Sequence, residues 1–397
     1  MKNIFPSNFS LQLKEKLRDK GLGSSAKEHL DSSGKKRSRE TPRDRIEVRA
    51  YPPTPILINT LPSIKAGATD PKHKYDGCAI SEFIAGPILG TGSFGRVFLA
   101  HHRQTGNICA IKALSKAHLV KNQQASVIHL KAERDVLRMV NHPGLVNMLG
   151  AFQDAVCVYF VMEYVSGGEF FRQLRIREKL PEDAARFYGA QIVDAFEYLH
   201  GREIVYRDLK PENLLLDTKG HMKITDLGFA KIVTGDKRTY TLCGTPDYLA
   251  PEIILNKGHG MAVDWWAFGV LLYEMMAGFP PFYDEEVTNT YKKILNGRFS
   301  FPSHFSVTAR DLIRKLLQAD LSKRYGCLAN GAADIKAHPW FKGTDWARVA
   351  RREDAAPIRP VIKRADDCSN FDDYSSLGPM KHDFELSSNE QATFSGF

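Results

Sequence analysis

Tyr206-Arg207-Asp208-Leu209-Lys210-Pro211-Glu212-Asn213 places an acid, an ammonium and a carboxamide in one short turn. Apolar runs flank it, Ile204-Val205 before and Leu214-Leu215-Leu216 after. A hydrated capping turn explains an Asp or an Asn, but hardly all of these groups between strand-like runs. Asp226-Leu227-Gly228 comes thirteen residues after Asn213, following a short expected strand over His221 to Thr225. A carboxylate with a glycine two residues on suits a ligand for Mg²⁺, which takes hard oxygen donors and shares its shell with phosphates. Ala250-Pro251-Glu252 closes the segment.

Upstream, Ile84, Ile88, Leu89, then Val97 to Leu99, then Ile108 to Leu114 read as short strands separated by glycine-containing turns, an antiparallel sheet. Gly90-Thr91-Gly92-Ser93-Phe94-Gly95-Arg96-Val97 lies between the first two. Glycines there let backbone N–H groups approach phosphate oxygens that a Cβ would keep away. A dinucleotide-binding reading needs a helix directly after the glycines, and another strand follows instead. The third strand carries Lys112. By itself a strand lysine is a snorkelling surface residue, but Glu133 on the next apolar-periodic segment, Gln123 to Val140, offers an ion-pair partner. His129, four residues before Glu133, shares its helix face.

Val156 to Tyr164 reads as a further strand, and Pro181 to His200, Asp264 to Gly278 and Val307 to Gln318 as helices. Strands first and helices afterwards predict an α+β chain of two lobes joined near Glu163 to Gly168. The 397 residues, 43% hydrophobic and 25% charged, suffice for a sizeable core. The longest apolar stretches, Val156 to Met162 and Phe268 to Phe279, fall short of the ~20 residues that cross a bilayer. Six cysteines without a C-x-x-C pair read as reduced thiols, so a cytoplasmic chain, possible also in the nucleus, is expected. Thirteen Lys/Arg against seven Asp/Glu in the first fifty residues place +6 of the net +9 there. With no interleaved aromatics or reading module, this is a solvated arm rather than a nucleic-acid surface. Residues 1–82 are expected to form a basic, mostly unfolded extension, with a helical piece near Leu11 to Leu17.

Together and in this order, these motifs resemble the eukaryotic protein kinases over 83–341. Tyr-Arg-Asp at 206–208, Thr241-Leu242-Cys243-Gly244-Thr245-Pro246, Phe371-Asp372-Asp373-Tyr374 and Phe394-Ser395-Gly396-Phe397 resemble the AGC group, and within it the catalytic subunits of cyclic-AMP-dependent kinases. The resemblance implies the bilobal protein-kinase fold: a small antiparallel β-sheet lobe with one key helix (83–162), a larger mainly helical lobe (168–341) and an AGC tail (342–397). It implies ATP and Mg²⁺. Asp208, Lys210, Lys112 and Glu133 take the catalytic roles, and Asn213 and Asp226 hold metal. Leu89, Gly90, Gly92, Ser93, Phe94, Gly95, Val97, Ala110, Lys112, Glu163, Val165 and Leu215 surround the nucleotide, with Met162 as gatekeeper. Glu169, Glu212 and Glu274 would bind basic residues of a Ser/Thr protein substrate, and Leu242, Pro246 and Leu249 the apolar residue after its acceptor. Thr241 is the implied activating phosphosite, bound by Arg207, Lys231 and His129, and Ser387 a tail phosphosite. Partners implied are basic protein substrates, a regulatory or inhibitory subunit and an upstream activating kinase; no nucleic acid and no membrane span are expected.

Three positions depart from the pattern. Leu227 replaces a Phe, Asp247 a Glu, and Tyr240 a Trp through which the family docks its regulatory subunit. A catalytically silent scaffold would lack the lysine or one of the two aspartates, and all are present. A cyclic-GMP-dependent type would carry nucleotide-binding domains, and none is expected before Phe83.

Overall fold

The structure is a computed structural model that describes residues 73–92, 94–121, 125–235, 237–378 and 385–397. The helical piece near Leu11, most of the basic extension and Ser93 lie outside the described residues. The small lobe is a five-stranded antiparallel sheet in the order β1-β2-β3-β5-β4, formed by β1 (Phe83–Thr91), β2 (Gly95–His102), β3 (Ile108–Ser115), β4 (Met148–Gln153) and β5 (Cys157–Glu163). Side chains alternate faces along a strand. Cys109, Ile111 and Ala113 of β3 therefore share a core with Phe83, Phe152, Tyr159 and Val161, while Ala110 and Lys112 face the other way. The register sets Lys112 opposite Val97 on β2 and Phe160 on β5.

Two helices follow β3, not the single one expected: α1 (Lys116–Lys121) and α2 (Ala125–Met139). Lys116-Ala117-His118-Leu119-Val120-Lys121 is too short to display helical periodicity, yet it buries Ala117 and Leu119. A second difference concerns the start of the lobe. Residues 73–82, assigned above to the extension, pack on the sheet: Tyr75 is 3% exposed and its N–H donates to Leu149 O at 3.1 Å. The Asp76 carboxylate accepts from Ala151 N at 2.8 Å. One aromatic in a polar run gives no sequence pattern, because its burial is set by strands far along the chain.

The large lobe comprises α3 (Phe170–Arg177), α4 (Glu182–His200), β6 (Ile204–Val205), β7 (Leu214–Leu216), β8 (Met222–Ile224), β9 (Lys231–Ile232), α5 (Pro251–Ile254), α6 (Ala262–Ala277), α7 (Val287–Asn296), α8 (Val307–Leu316) and α9 (Ala332–Lys336), and α10 (Trp346–Arg351) follows in the tail. Helix α6 buries every residue from Val263 to Met276, and a helix apolar on all sides belongs at the centre of a domain. Gly278, with φ +89°, ends it in the left-handed conformation that a Cβ disfavours. A last short helix, α11 (Ser388–Ala392), lies in the tail. No helix among the described residues is long and apolar enough to cross a membrane.

Candidate active site

Three elements converge on the Lys112 ammonium. Its Nζ lies 2.6 Å from Glu133 Oε1 on α2 and 3.2 Å from Asp226 Oδ1 in the turn after β8. Burial opposes the lysine's charge, but Asp226 and Glu133 outweigh it and raise its pKa. Lys112 in turn holds the Asp226 carboxyl below its usual range. Burial pushes Glu133 up, with Lys112 pulling against it. Opposite charges a hydrogen bond apart thus favour the charged forms of Lys112 and Asp226, while at Glu133 burial and the like charge of Asp226 outweigh the pull of Lys112.

The second cluster belongs to the turn that opens the sequence analysis. Lys210 Nζ sits 3.0 Å from Asp208 Oδ2 and 3.2 Å from Thr245 Oγ1. Asn213 Nδ2 donates to Asp208 O and Asp208 Oδ2, both at 2.8 Å. Asp208 is 3% exposed, and burial raises its carboxyl pKa despite Lys210 and Asn213. The turn is anchored from beneath by Asp264, 1% exposed in the first turn of α6. Its carboxylate accepts from Tyr206 N at 2.9 Å and Arg207 N at 2.8 Å, and contacts His200 Nε2 at 2.8 Å. Arg207 accordingly adopts φ +69°, a left-handed conformation costly for a residue with a side chain. The sequence reading used Asp264 only to start a helix. A lone acid in Val263-Asp264-Trp265-Trp266 was the available signal, since a buried carboxylate requires partners.

Of the residues expected to surround a nucleotide, Leu89 and Ala110 form a buried cluster with Leu99, joined by partly buried Val97, Met162, Tyr164, Cys368 and Phe371. The tail therefore contributes to this cluster: Phe371 stacks on Tyr164 at 6.0 Å, and Tyr164 Oη donates to Asp367 O at 2.6 Å. Glu163 spends its side chain on Asn147 and Lys223. Val165 N–H has no partner among the described residues. Leu215 is half-buried on β7, and Phe94 and Gly95 are half-buried in the glycine turn. A Cβ on Gly95 would fall 1.8 Å from Ala113 O, so packing demands that glycine, whereas at Gly90 a Cβ would meet nothing within 4 Å.

The carboxylates expected to meet a basic substrate are brought together. Glu212 is exposed, and its charge raises the pKa of both Glu169 and Glu274, behind burial as the larger cause. Two further acids join them, Asp372 beside Glu169 and Asp247, one of the three departures named above, beside Glu274. Glu274 is 8% exposed, accepts a bond from Tyr248 Oη, and is pushed up to about 7. Leu242 and Pro246 are half-buried, while Leu249 is 2% exposed and forms floor rather than open surface.

Arg207, Lys231 and His129 form one electropositive group, in which Arg207 and Lys231 add to burial in lowering the His129 pKa. Their hydroxyl partner is Thr239, which sequence reasoning passed over. It is 2% exposed, with Oγ1 3.2 Å from Lys231 Nζ and 3.4 Å from Arg207 Nη1. Thr241 is exposed, two residues on, and makes no side-chain bond to them. Ser387 is the exposed N-cap of α11, bonded to Glu390.

The tail end grips α1 and α2. Phe394 is fully buried, with Lys116 Nζ over its ring at 5.1 Å, and Arg134 lies over Phe397 at 4.9 Å. Lys131 Nζ donates to Ser395 O at 3.0 Å. The helix carrying Glu133 is therefore held from the tail as well as from the cleft.

Residues 83–341 match the protein kinase domain family. The chain is 51% identical over 295 residues to a cAMP-dependent protein kinase catalytic subunit of Dictyostelium discoideum, covering 74% of this chain and 45% of that relative. It is 48% identical over 306 residues to cAMP-dependent protein kinase type 3 of Saccharomyces cerevisiae, covering 77% and 75%. It is 46% identical over 315 residues to a mouse cAMP-dependent protein kinase catalytic subunit, PRKX, covering 78% and 88%.

Proposed function

Because this chain belongs to the protein kinase family and is a serine/threonine kinase of the AGC group, we propose that it transfers the γ-phosphate of ATP to Ser or Thr in Arg-Arg-x-Ser/Thr-hydrophobic sequences. The observation that carries this reading is Lys112 held by Glu133 and Asp226 at once, beside the buried Asp208-Lys210-Asn213 cluster. The family generally uses ATP with Mg²⁺, and the residues here fit that pair. Asn213 commits both its N–H bonds to Asp208, leaving its amide oxygen for a cation. Asp226 engages Lys112 and Gly228 N through Oδ1 alone, leaving Oδ2. Gly90 has no packing reason to be glycine, as expected where backbone must approach phosphates. When bound, Mg²⁺ neutralises charge on the phosphate oxygens.

Phosphoryl transfer needs positioning and charge stabilisation more than covalent help. Asp208 orients and accepts the proton of the substrate hydroxyl; its raised pKa makes it a better acceptor than an ordinary carboxylate. Lys210 steadies the transferred phosphate and Lys112 the phosphates that remain. Glu169, Glu212 and Glu274 receive substrate arginines, and Leu242 and Pro246 the residue after the acceptor, over the floor that Leu249 forms. Phosphate on Thr241, added by an upstream kinase, draws together Arg207, Lys231 and His129 and so ties α2 to the large lobe. A regulatory subunit would compete for the acidic surface with an Arg-Arg segment.

The test is γ-phosphate transfer to an Arg-Arg-x-Ser-hydrophobic peptide. Asp208→Asn and Asp226→Ala should each abolish turnover, and replacing the peptide's arginines by alanine should raise KM steeply. Full turnover in Asp226→Ala would contradict the metal assignment. Indifference of the wild type to the arginines would contradict the acidic subsite.

A further inference from the structure

A separate set of metal-binding side chains lies away from the cleft, where the segment before β1 meets the end of β2. Cys78 precedes the 3-10 turn Ile80–Glu82, Glu82 ends that turn, and His102 is the last residue of β2, paired with Phe83. One ligand atom from each lies within 4.8 Å of the others. None of the three serves the phosphotransfer chemistry. We propose that Cys78, Glu82 and His102 form a Zn²⁺ site that staples residues 78–82 to the small-lobe sheet.

The donor set selects the ion. Thiolate, imidazole and carboxylate together suit Zn²⁺, which accepts S, N and O at about 2.0–2.3 Å, with water completing a tetrahedron. Mg²⁺ and Ca²⁺ prefer all-oxygen shells and are disfavoured. Those bond lengths place tetrahedral donors about 3.3–3.7 Å apart, so closure from 4.8 Å takes small side-chain adjustments rather than backbone movement. Two of the three donors are already held. Glu82 Oε1 accepts from Ala79 N at 2.7 Å, which still leaves Oε2. The His102 ring packs against Tyr75 and Phe83 at 5.1 and 5.2 Å, and its Nδ1 lies 3.0 Å from Thr105 Oγ1. Thr105 N also donates to Nδ1 at 3.3 Å, so ligation through Nε2 takes the tautomer in which Nδ1–H donates to Thr105 Oγ1 instead, and that bond then fixes the orientation of the imidazole. Cys78 is half-buried, which leaves a path for the ion and its water.

Charge points the same way. A thiolate and a carboxylate with a neutral imidazole carry two negative charges, matched by one dication. Nearby charged groups are otherwise engaged: Arg103 Nε donates to Ser81 O at 2.8 Å, and Asp76 pairs with Arg138 at 2.8 Å. The site holds without reference to the kinase reading, because it uses none of the same residues.

The full chain, stripped of metal by a chelator and kept free of nucleotide, is titrated with Zn²⁺ by calorimetry and, separately, with Co²⁺ by absorption. A single tight equivalent is expected, with a thiolate-to-cobalt charge-transfer band and a Tm that rises with Zn²⁺ concentration. Cys78→Ser and Glu82→Gln, which keeps the Ala79 bond, should each weaken binding by more than the about 10–100-fold that loss of an outer-shell partner costs. Both should remove the zinc-induced rise in Tm. Binding unchanged in these variants would assign the metal to other cysteines and overturn the proposal. So would a wild-type cobalt complex lacking the thiolate band, or no binding at micromolar zinc, either of which would leave the trio a proton-bridged polar cluster.

Discussion

Glu133→Gln tests the junction of the two lobes directly. In the wild type, Lys112 Nζ is shared between Glu133 Oε1 at 2.6 Å and Asp226 Oδ1 at 3.2 Å. Glutamine keeps the shape and one acceptor but removes the charge, so Asp226 becomes the sole anion on the lysine and draws it toward itself. Hydrogen bonds to charged groups are worth about 1.5–3 kcal/mol. Lost in full from transition-state stabilisation, that is roughly a 10- to 150-fold fall in kcat/KM. Glu133 is 7% exposed, so the variant is assayed beside its own melting curve to separate misfolding from misplacement. Steady-state transfer to the dibasic peptide supplies the rates. A correctly folded Glu133→Gln enzyme within threefold of wild type would show that the lysine does not need α2, and the positioning role given to that helix would be wrong.

Other expectations concern stability, pH and the tail. Arg324 is fully buried, and Glu252 clasps it at 2.6 and 2.9 Å. Because Glu252→Gln strands a buried cation, it should cost about 3–5 kcal/mol, visible as a Tm lower by roughly 10 °C. Glu274 is raised from 4.5 to about 7, so the native state binds an extra proton between those values. Its stability contribution is present at low pH and lost as pH rises through about 7. Glu274→Gln should therefore melt higher than wild type at pH 8 and alike at pH 4, and identical melting curves at both would discard the burial argument. In the same enzyme, protonation of Glu274 below about pH 7 should raise KM for the dibasic peptide, a limb absent from Glu274→Gln. Phe394→Ala empties a fully buried ring site, worth about 3–5 kcal/mol for a core Phe. It should speed amide exchange across α1, whose Lys116 lies over the ring, and lower kcat/KM, whereas unchanged exchange would detach the tail from that helix.

Much of the site was legible because its chemistry is local. The segment 206–213 carries its acid, amine and amide within one turn, and 226–228 its acid and glycine, so residue type and spacing marked both segments as candidates, and the resemblance to protein kinases supplied their roles. The apolar periodicity of 181–200 and 264–278 marked the central helices for the same reason. What the sequence could not disclose depends on residues distant in the chain. Asp264 supports the 206–208 backbone from more than fifty positions away, and Thr239, not Thr241, is the hydroxyl facing Arg207 and Lys231. Tyr75 is buried only because β4 and β1 offer it a surface. Phe371 reaches the cluster of Leu89, Leu99 and Ala110 only because Tyr164 anchors the tail there. Covalent order fixes which groups a turn presents and which face of a helix is apolar. Long-range packing alone determines which of those groups meet, because a hydrogen bond or ion pair forms only where folding has brought two distant backbones within a few ångströms.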